Sequence, residues 1–574
     1  MSAARVNWGK SEALAVGRWE GGLPSLPGGL TWRRDGLKYL GVYLGNESMV
    51  QKNWEGVAEK MKGRLSKWKW LKPQLSYRGR TLILNNLVAS ALWHRLACME
   101  PPKGLVMKLQ AILTDFFWDR LHWVPQCVLF LPKKEGGQGL VHIQSRISTF
   151  RLQFLQKYLL GPQDVVWRRV TSSILRETTG LVLDMQLFLM DFKLFNMYGL
   201  STFYQSLFKT WSLFKWRRLE HTNSLHWLLE EPLINGARLD VQSSSTPGLT
   251  SMLCTAGAVT LRTIVDAAGP GLKNIPAVAT LIGQRSRRQT ERILNEWIKR
   301  LTDEEVEMLK DYSDGAETPD NSDPFPELGF NPNLDGLSGP FLNKTDWKQV
   351  DLYTAKGRAM YECCVLTLNR SKLDVRPDTV WRRRLDLDIN DKPVWRVLYK
   401  PPLRKRTGDL QWRILHGAIA VNSFISIINP TVMNNCPFCG EEETVFHAFY
   451  DCERLCFLFN TLQKVFKQFG ETWSKSVFIL GVGYRKTNEC KWKLLNWIVG
   501  EAKMSVYSSR KNRVEDRTGQ EALPVFISLL KARVWVDFRF FKEMKDMDGF
   551  IKQWCFNDVV CSVVDDVLIF NITF

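Results

Sequence analysis

Trp54-Glu55-Gly56-Val57-Ala58-Glu59-Lys60-Met61-Lys62-Gly63-Arg64-Leu65-Ser66-Lys67-Trp68 carries its apolar side chains at Trp54, Val57, Met61, Leu65 and Trp68. Steps of three and four residues put all five on one face, so the spacing predicts an amphipathic helix over 52–71. The same period recurs outward along the chain, over 78–99, 105–119, 143–158, 203–218 and 288–300. The fold is therefore read as mainly α. It is also multi-domain, because 574 residues exceed what one core serves and roughly 100–200 residues per domain gives about three to five units. Residues 1–48 are turn-rich and hold one strand candidate, 37–44. The Ser/Gly-rich stretch at 242–258 has no clear period, and no internal repeat is found.

Hydrophobic residues make up 45% of the chain and charged residues 24%, which excludes a mostly disordered protein. No run of about 18 apolar residues occurs, so no membrane partner is expected. The first residues lack the apolar stretch of a signal peptide, and the twelve cysteines are scattered. Reduced thiols and a nuclear and/or cytoplasmic location are the expectation.

Lys and Arg number 78 against 59 Asp and Glu, a net charge of +19, which points to a polyanionic partner, RNA and/or DNA. Location sharpens the reading. Residues 1–150 hold 22 basic and 10 acidic residues, and 60–80 hold eight basic residues with no acid, interleaved with Trp68, Trp70 and Tyr77. Lys60, Arg64 and Lys67 fall on one helix face, a ladder suited to successive phosphates, and Lys69, Arg78 and Arg80 extend it. Arg404-Lys405-Arg406 forms a second patch. Smaller ones are Trp381-Arg382-Arg383-Arg384 and Ser509-Arg510-Lys511-Asn512-Arg513, for which a solvated helix face is an equal explanation. Between Thr302 and Asp335 eleven acidic residues face only Lys310, among several prolines and glycines. That stretch reads as a solvated linker, with shielding of a basic groove as a second reading.

Asn435-Cys436-Pro437-Phe438-Cys439-Gly440 is a tight turn bearing two thiolates, followed by His447 and Cys452 in a Cys-x2-Cys-x7-His-x4-Cys pattern. Two sulfurs on a short turn can share one tetrahedral ion, and a helix over 441–454 would present His447 and Cys452 to close the shell. Four protein ligands leave no open position, so the expected cofactor is one structural Zn2+. Cys456, one helical turn further on, is the rival fourth ligand.

Trp395, Gln411-Trp412-Arg413-Ile414-Leu415-His416-Gly417 and Cys436 to Cys452, in that order, resemble the zinc-binding region of LINE-type (non-LTR) retrotransposon reverse transcriptases. Asn7-Trp8-Gly9-Lys10-Ser11 looks like the family's palm segment after the catalytic aspartates, and Leu37-Lys38-Tyr39-Leu40-Gly41 is similar to its primer-grip strand pair. Leu75-Ser76-Tyr77-Arg78-Gly79-Arg80 and Gly136-Gly137-Gln138-Gly139-Leu140 look like its thumb and the segment that follows. The resemblance is strongest at 5–160 and 395–460 and weakest at 240–345. It implies a truncated palm edge over 1–48, a thumb-like helical domain over 49–160 and a helical middle region over 161–301. An acidic linker over 302–340, a helical region with the zinc segment over 341–460 and a C-terminal helical region over 461–574 complete the division.

The departure lies in the chemistry. The family's polymerase holds two Mg2+ ions on palm aspartates, and the resemblance places these upstream of Met1, so this chain by itself is not expected to be an enzyme. Asp565-Asp566 reads as an ordinary turn. Lys10 matches a position proposed in the family to protonate the leaving pyrophosphate, yet it has no metal site to assist. Gly9-Lys10-Ser11 lacks the first glycine of a phosphate-binding loop, Ala4 standing there, and no His-Glu-x-x-His or Gly-x-Ser-x-Gly motif occurs. The implied function is RNA/DNA binding by the C-terminal portion of a reverse transcriptase. The alternatives are a relic or co-opted protein-interaction scaffold, and a polymerase part that needs a separate palm.

Overall fold

Helical periodicity dominates the computed structural model, which describes residues 7–574 apart from 16–21, 119–121, 163, 180–182, 190–196, 219–224, 234–248, 258, 285, 316–327, 333–349, 389–390, 484–486 and 514–521. After a short parallel pairing of Ala13–Leu14 with Trp32–Arg33 comes a hairpin of β1 (Gly36–Tyr39) and β2 (Val42–Gly45), turning at Leu40 and Gly41, both at positive φ. Its second strand is pinned by Asn53, whose side chain both donates to and accepts from the Tyr43 backbone at 2.8 Å. The helix expected over 52–71 is shorter. Gly56 sits in the left-handed region and starts α1 (Val57–Ser66), which buries Val57, Ala58, Met61 and Leu65.

Ser76 caps α2 (Tyr77–Ile83), accepting from the Gly79 N–H. A wider π turn at Leu84–Val88 then leads through Ala89–Leu92 into α3 (Trp93–Cys98), so the helix expected over 78–99 exists with a bulge. Next come α4 (Leu105–Trp118) and α5 (Ile143–Leu160), close to expectation. The helix expected over 203–218 stops early: α6 is Thr202–Trp211, and Phe214–Arg218 is β3. β3 pairs antiparallel with β4 (Leu328–Pro332), which pairs with β5 (Val350–Asp351). Phe214 and Trp216 thereby meet Phe330, ring centroids 5.3 and 5.0 Å away, and that gain outweighs continuing the helix.

The acidic stretch is also not a bare tether. Thr302 and Glu305 form a reciprocal capping box at the head of a helix over Asp303–Ser313, whose first-turn acids suit the positive end of the helix dipole. β4, in the same stretch, is buried along most of its length. The proline-rich remainder and the start of the helices expected from about 344 lie outside the described residues. From 242–258, a helix over Leu249–Ala256 is described.

The later part contains α7 (Gly357–Asp374), α8 (Lys405–Leu415), α9 (Asn422–Ile428), α10 (Glu489–Arg513) and α11 (Ala522–Glu543). It closes on a hairpin of β6 (Cys561–Val564) and β7 (Val567–Phe570), with Asp565 and Asp566 as its two positive-φ turn residues. The protein is thus mainly α, and its sheets are small.

Among the described residues, three hydrophobic clusters form the interior. The largest takes side chains from α1 through the start of α5 and again from the end of α7 to Ile572, so the 49–160 region and the region holding Cys436 and Cys452 share one core. A second holds the end of α5, α6, β4 and the start of α7, and a third spans Leu228–Leu309. α5 and α7 therefore run antiparallel across both of the first two clusters. Gln156 clasps them, donating to the carbonyls of Leu352 at 2.8 Å and Ala355 at 3.0 Å just before α7 begins.

The glycine turn at Gly136 joins the two parts of the shared core. The Gly136 carbonyl accepts from Trp412 Nε1 at 2.7 Å and pairs with His416 Nε2 at 2.9 Å, while Trp395 stacks on His416 at 5.0 Å. A Cβ on Gly137 would stand 1.9 Å from the Leu131 carbonyl oxygen, so only glycine fits.

Candidate metal centre and nucleic-acid interface

The metal cluster is built on two tight turns. In the first, Asn435 bridges Glu442, the Cys436 N–H donates to the Glu441 carbonyl at 2.5 Å, and the Gly440 N–H returns to the Cys436 carbonyl at 3.0 Å. Gly440 has φ +86°, and the Phe438 N–H points at Cys436 Sγ at 3.4 Å, as an amide supporting a thiolate does. The second turn departs from the helix expected over 441–454. Only a π turn at His447–Asp451 and a short turn at Glu453–Leu455 form, because Cys452 leaves the helical conformation. Its N–H closes on the His447 carbonyl at 3.0 Å, five residues back, and this wider turn brings His447 and Cys452 to the same side.

The ligand atoms of Cys436, Cys439, His447 and Cys452 all lie within 4.8 Å of one another. Cys439 Sγ is 3.1 Å from His447 Nε2 and 3.8 Å from Cys452 Sγ. Zn–S bonds of about 2.3 Å in a tetrahedron place sulfurs about 3.8 Å apart, so the spacing suits such an ion. Three cysteines and a histidine could hold a metal ion such as zinc. Cys456 is exposed, opens the next helix and is not in the cluster. The Cys452 hydrogen bond holds Cys436 well below the thiol range, and the same bond pushes Cys452 up. Burial raises Cys439.

The surroundings hold both turns rigidly. Thr444 Oγ1 accepts from the His447 N–H at 3.1 Å, and Trp381 meets Phe446 edge-on at 4.9 Å. Arg384 pairs with Asp451, and Arg382 is bound by Asp378, so the 381–384 patch mostly serves the fold. Arg510, in the 509–513 patch, is buried against Glu443. The side chains of Lys511 and Arg513 lie outside the described residues.

The main basic patch splits in two. Lys60, Arg64, Lys67 and Lys69 are exposed, although Lys67 and Lys69 lie just past the end of α1 and Arg64 Nη1 donates to the Leu87 carbonyl at 3.0 Å. Arg78 and Arg80 turn inward. Arg78 lies 3.9 Å over the Tyr399 ring, and burial lowers its pKa. Arg80 donates to the carbonyls of Phe117 at 2.7 Å and Lys72 at 3.1 Å. Of the interleaved aromatics, Trp70 is exposed while Tyr77 stacks on Phe117.

Distant segments meet here. The Tyr77 N–H donates to both oxygens of Asp409 at 3.1 Å, docking the head of α2 on α8. Above this joint opens a cleft of about 400 Å3 lined by Arg80, Arg406, Arg413, Tyr77, Asp409 and Tyr507. Arg404, Lys405 and Arg406 are exposed at the start of α8. Arg413 is a site residue that the basic-patch reading missed. Its signal was in the sequence, since Arg406, Asp409, Leu410 and Arg413 share a helix face at i, i+3, i+4, i+7.

Comparison with known proteins finds no family model that matches. A Xenopus laevis protein, "Transposon TX1 uncharacterized 149 kDa protein", is 32% identical over 584 aligned residues, covering 99% of this chain and 44% of the relative. The chain is similar to a transposon protein. That likeness runs through both basic segments and the metal cluster, and it supports a transposon origin. The chain spans less than half the length of this relative.

Proposed function

We propose that this chain is an RNA- and/or DNA-binding C-terminal portion of a LINE-type retrotransposon reverse transcriptase, with one structural Zn2+ on Cys436, Cys439, His447 and Cys452. It binds nucleic acid without polymerising, in the nucleus and/or cytoplasm. The observation that carries this reading is the convergence of two basic segments more than 300 residues apart: Arg80 with Arg406 and Arg413 around one cleft. The Arg406 and Arg413 guanidinium groups outnumber the Asp409 carboxylate in this concave site and match phosphate better than any apolar partner, while Arg80, held by two backbone carbonyls, builds the wall. The exposed Lys60, Arg64, Lys67, Lys69, Arg404 and Lys405 supply further phosphate contacts, and Arg78 supports the cleft from within. The likeness to a transposon protein and the motifs of the zinc region agree with this assignment.

Fluorescence anisotropy with RNA and DNA oligonucleotides tests it. Log affinity should fall with log salt by about 0.7–0.9 per phosphate contacted, and Arg406→Glu should weaken binding and flatten that slope. No binding at about 50 mM salt, or a flat response, overturns the reading. Primer extension by the chain with Mg2+ and nucleotides should be blank. The scaffold alternative draws on the exposed apolar face of α11, where Val536 and Phe540 are both more than half exposed. A folded, zinc-loaded chain that ignores nucleic acid would favour it.

A further inference from the structure

A second cavity, of about 490 Å3, has Trp123 in its lining, the ring that Arg413 of the basic cleft lies against. Trp123, Ile419, Phe424 and Phe446 give it apolar walls, and Ser423 and Thr444 place a few polar atoms among them. Arg413 lines the cleft and lies against Trp123, one wall of the cavity. Its Nε donates to the Ala418 carbonyl at 2.8 Å, and its guanidinium carbon lies 5.1 Å from the centroid of the Trp123 ring. The Phe424 ring sits 5.2 Å from Trp123 and is 39% exposed, so it forms the rim. Thr444 also caps the turn that bears His447, which makes the metal-binding turn one wall of the cavity.

We propose that this cavity seats one unpaired nucleobase of a strand whose phosphate is held by Arg406 and Arg413. The proposal rests on reading the chain as a nucleic-acid binder and names the form of nucleic acid that this part takes. A base has apolar faces and a polar edge, which is what an aromatic cavity with a few hydroxyls accepts. Every base presents a π-face, so the seat tolerates sequence. An apolar protein side chain could fill the same walls, yet it would make no use of the adjoining cleft, where Arg406 and Arg413 outnumber the Asp409 carboxylate; charge complementarity selects a ligand that carries both an apolar face and an anion. A base paired within a duplex cannot enter without leaving its stack, so the site favours single strands, bulges and ends.

Binding of the zinc-loaded full chain to a single-stranded oligonucleotide and to the matching duplex, across a salt series, decides the matter. Phe424→Ala and Trp123→Ala should lower single-strand affinity about five- to a hundredfold while leaving the salt slope and the duplex affinity unchanged, because stacking is lost and no phosphate contact is. Trp123→Phe should keep most of the affinity. Zinc content and circular dichroism report the fold of each variant. Phe424→Ala, which removes a rim side chain, carries the test if Trp123→Ala unfolds. Unchanged single-strand affinity in a folded Phe424→Ala, or an equal loss on duplex, overturns the base seat. Loss of self-association in the ultracentrifuge, with nucleic-acid affinity intact, assigns the cavity to a second copy of the chain. Failure of the unmodified chain to bind any nucleic acid refutes the functional reading too, whereas salt-dependent binding indifferent to Phe424 and Trp123 refutes this seat alone.

Discussion

Arg510 of α10 grips Glu443, one residue before Thr444 in the metal-binding region, by two hydrogen bonds: Nε to Oε1 at 2.6 Å and Nη2 to Oε2. Glu443 is fully buried and Arg510 nearly so, and Glu443 Oε2 also accepts from the Asn422 N–H at 2.7 Å. The pair fastens the metal-binding turns to the long C-terminal helix. Arg510→Met leaves a buried carboxylate without its cation, and a loss of about 3–5 kcal/mol is expected in denaturant unfolding. Adding Glu443→Gln should recover much of that loss, since the neutral amide needs no counter-charge. Additive losses in the double variant would refute this account.

The fourth ligand separates cleanly by substitution. Cys452→Ser should abolish stoichiometric zinc, whereas Cys456→Ser should retain it, read by metal analysis of the purified chains. Cysteine ligands bind as thiolates, so zinc uptake should release protons and weaken on acidification. Chelation should lower the Tm, while the helical signal of the shared core persists in part because most of that core lies away from the metal. Full zinc loading of Cys452→Ser would exclude that residue.

Lys503 lies fully buried in α10, donating to Gln411 Oε1 at 3.1 Å and the Ile479 carbonyl at 2.9 Å. Burial pushes its pKa down to about 7 from 10.5. Between those values the unfolded chain binds more protons than the folded one, so stability rises with pH across the window, and below it the whole cost of burying the charge is carried. Buried Cys363, raised to about 12 from 9.0, acts in the opposite direction above pH 9. Urea unfolding from about pH 7 to 9 should therefore show the parent chain gaining on the order of 2 kcal/mol relative to Lys503→Met. Parallel pH profiles would show that Lys503 is not depressed.

Local patterns in the chain were legible where a helix is fixed by its own spacing. The helices expected over 105–119 and 143–158 appear as Leu105–Trp118 and Ile143–Leu160. The Cys-x2-Cys-x7-His-x4-Cys spacing likewise named four residues that the fold brings together. What was not legible depends on distant partners. Phe214–Arg218 becomes a strand only because Leu328–Pro332 lies alongside it, about 110 residues later, in a stretch whose charge read as a linker. Arg78 and Arg80 carry the same charge as Lys60, but Tyr399 and the Phe117 carbonyl draw them inward. Nor does any window of sequence show that the Gly136 carbonyl meets Trp412 and His416.

The clasp of Gln156 on the carbonyls of Leu352 and Ala355 gives the middle of the chain a particular standing. The chain departs the shared core along α5 and comes back along α7 at the same place, so everything between is topologically an inserted side branch. Its length and sequence can drift without changing the register of the helices from which it hangs. Selection can hold the basic cleft and the turns of the Cys/His cluster constant while the branch diverges.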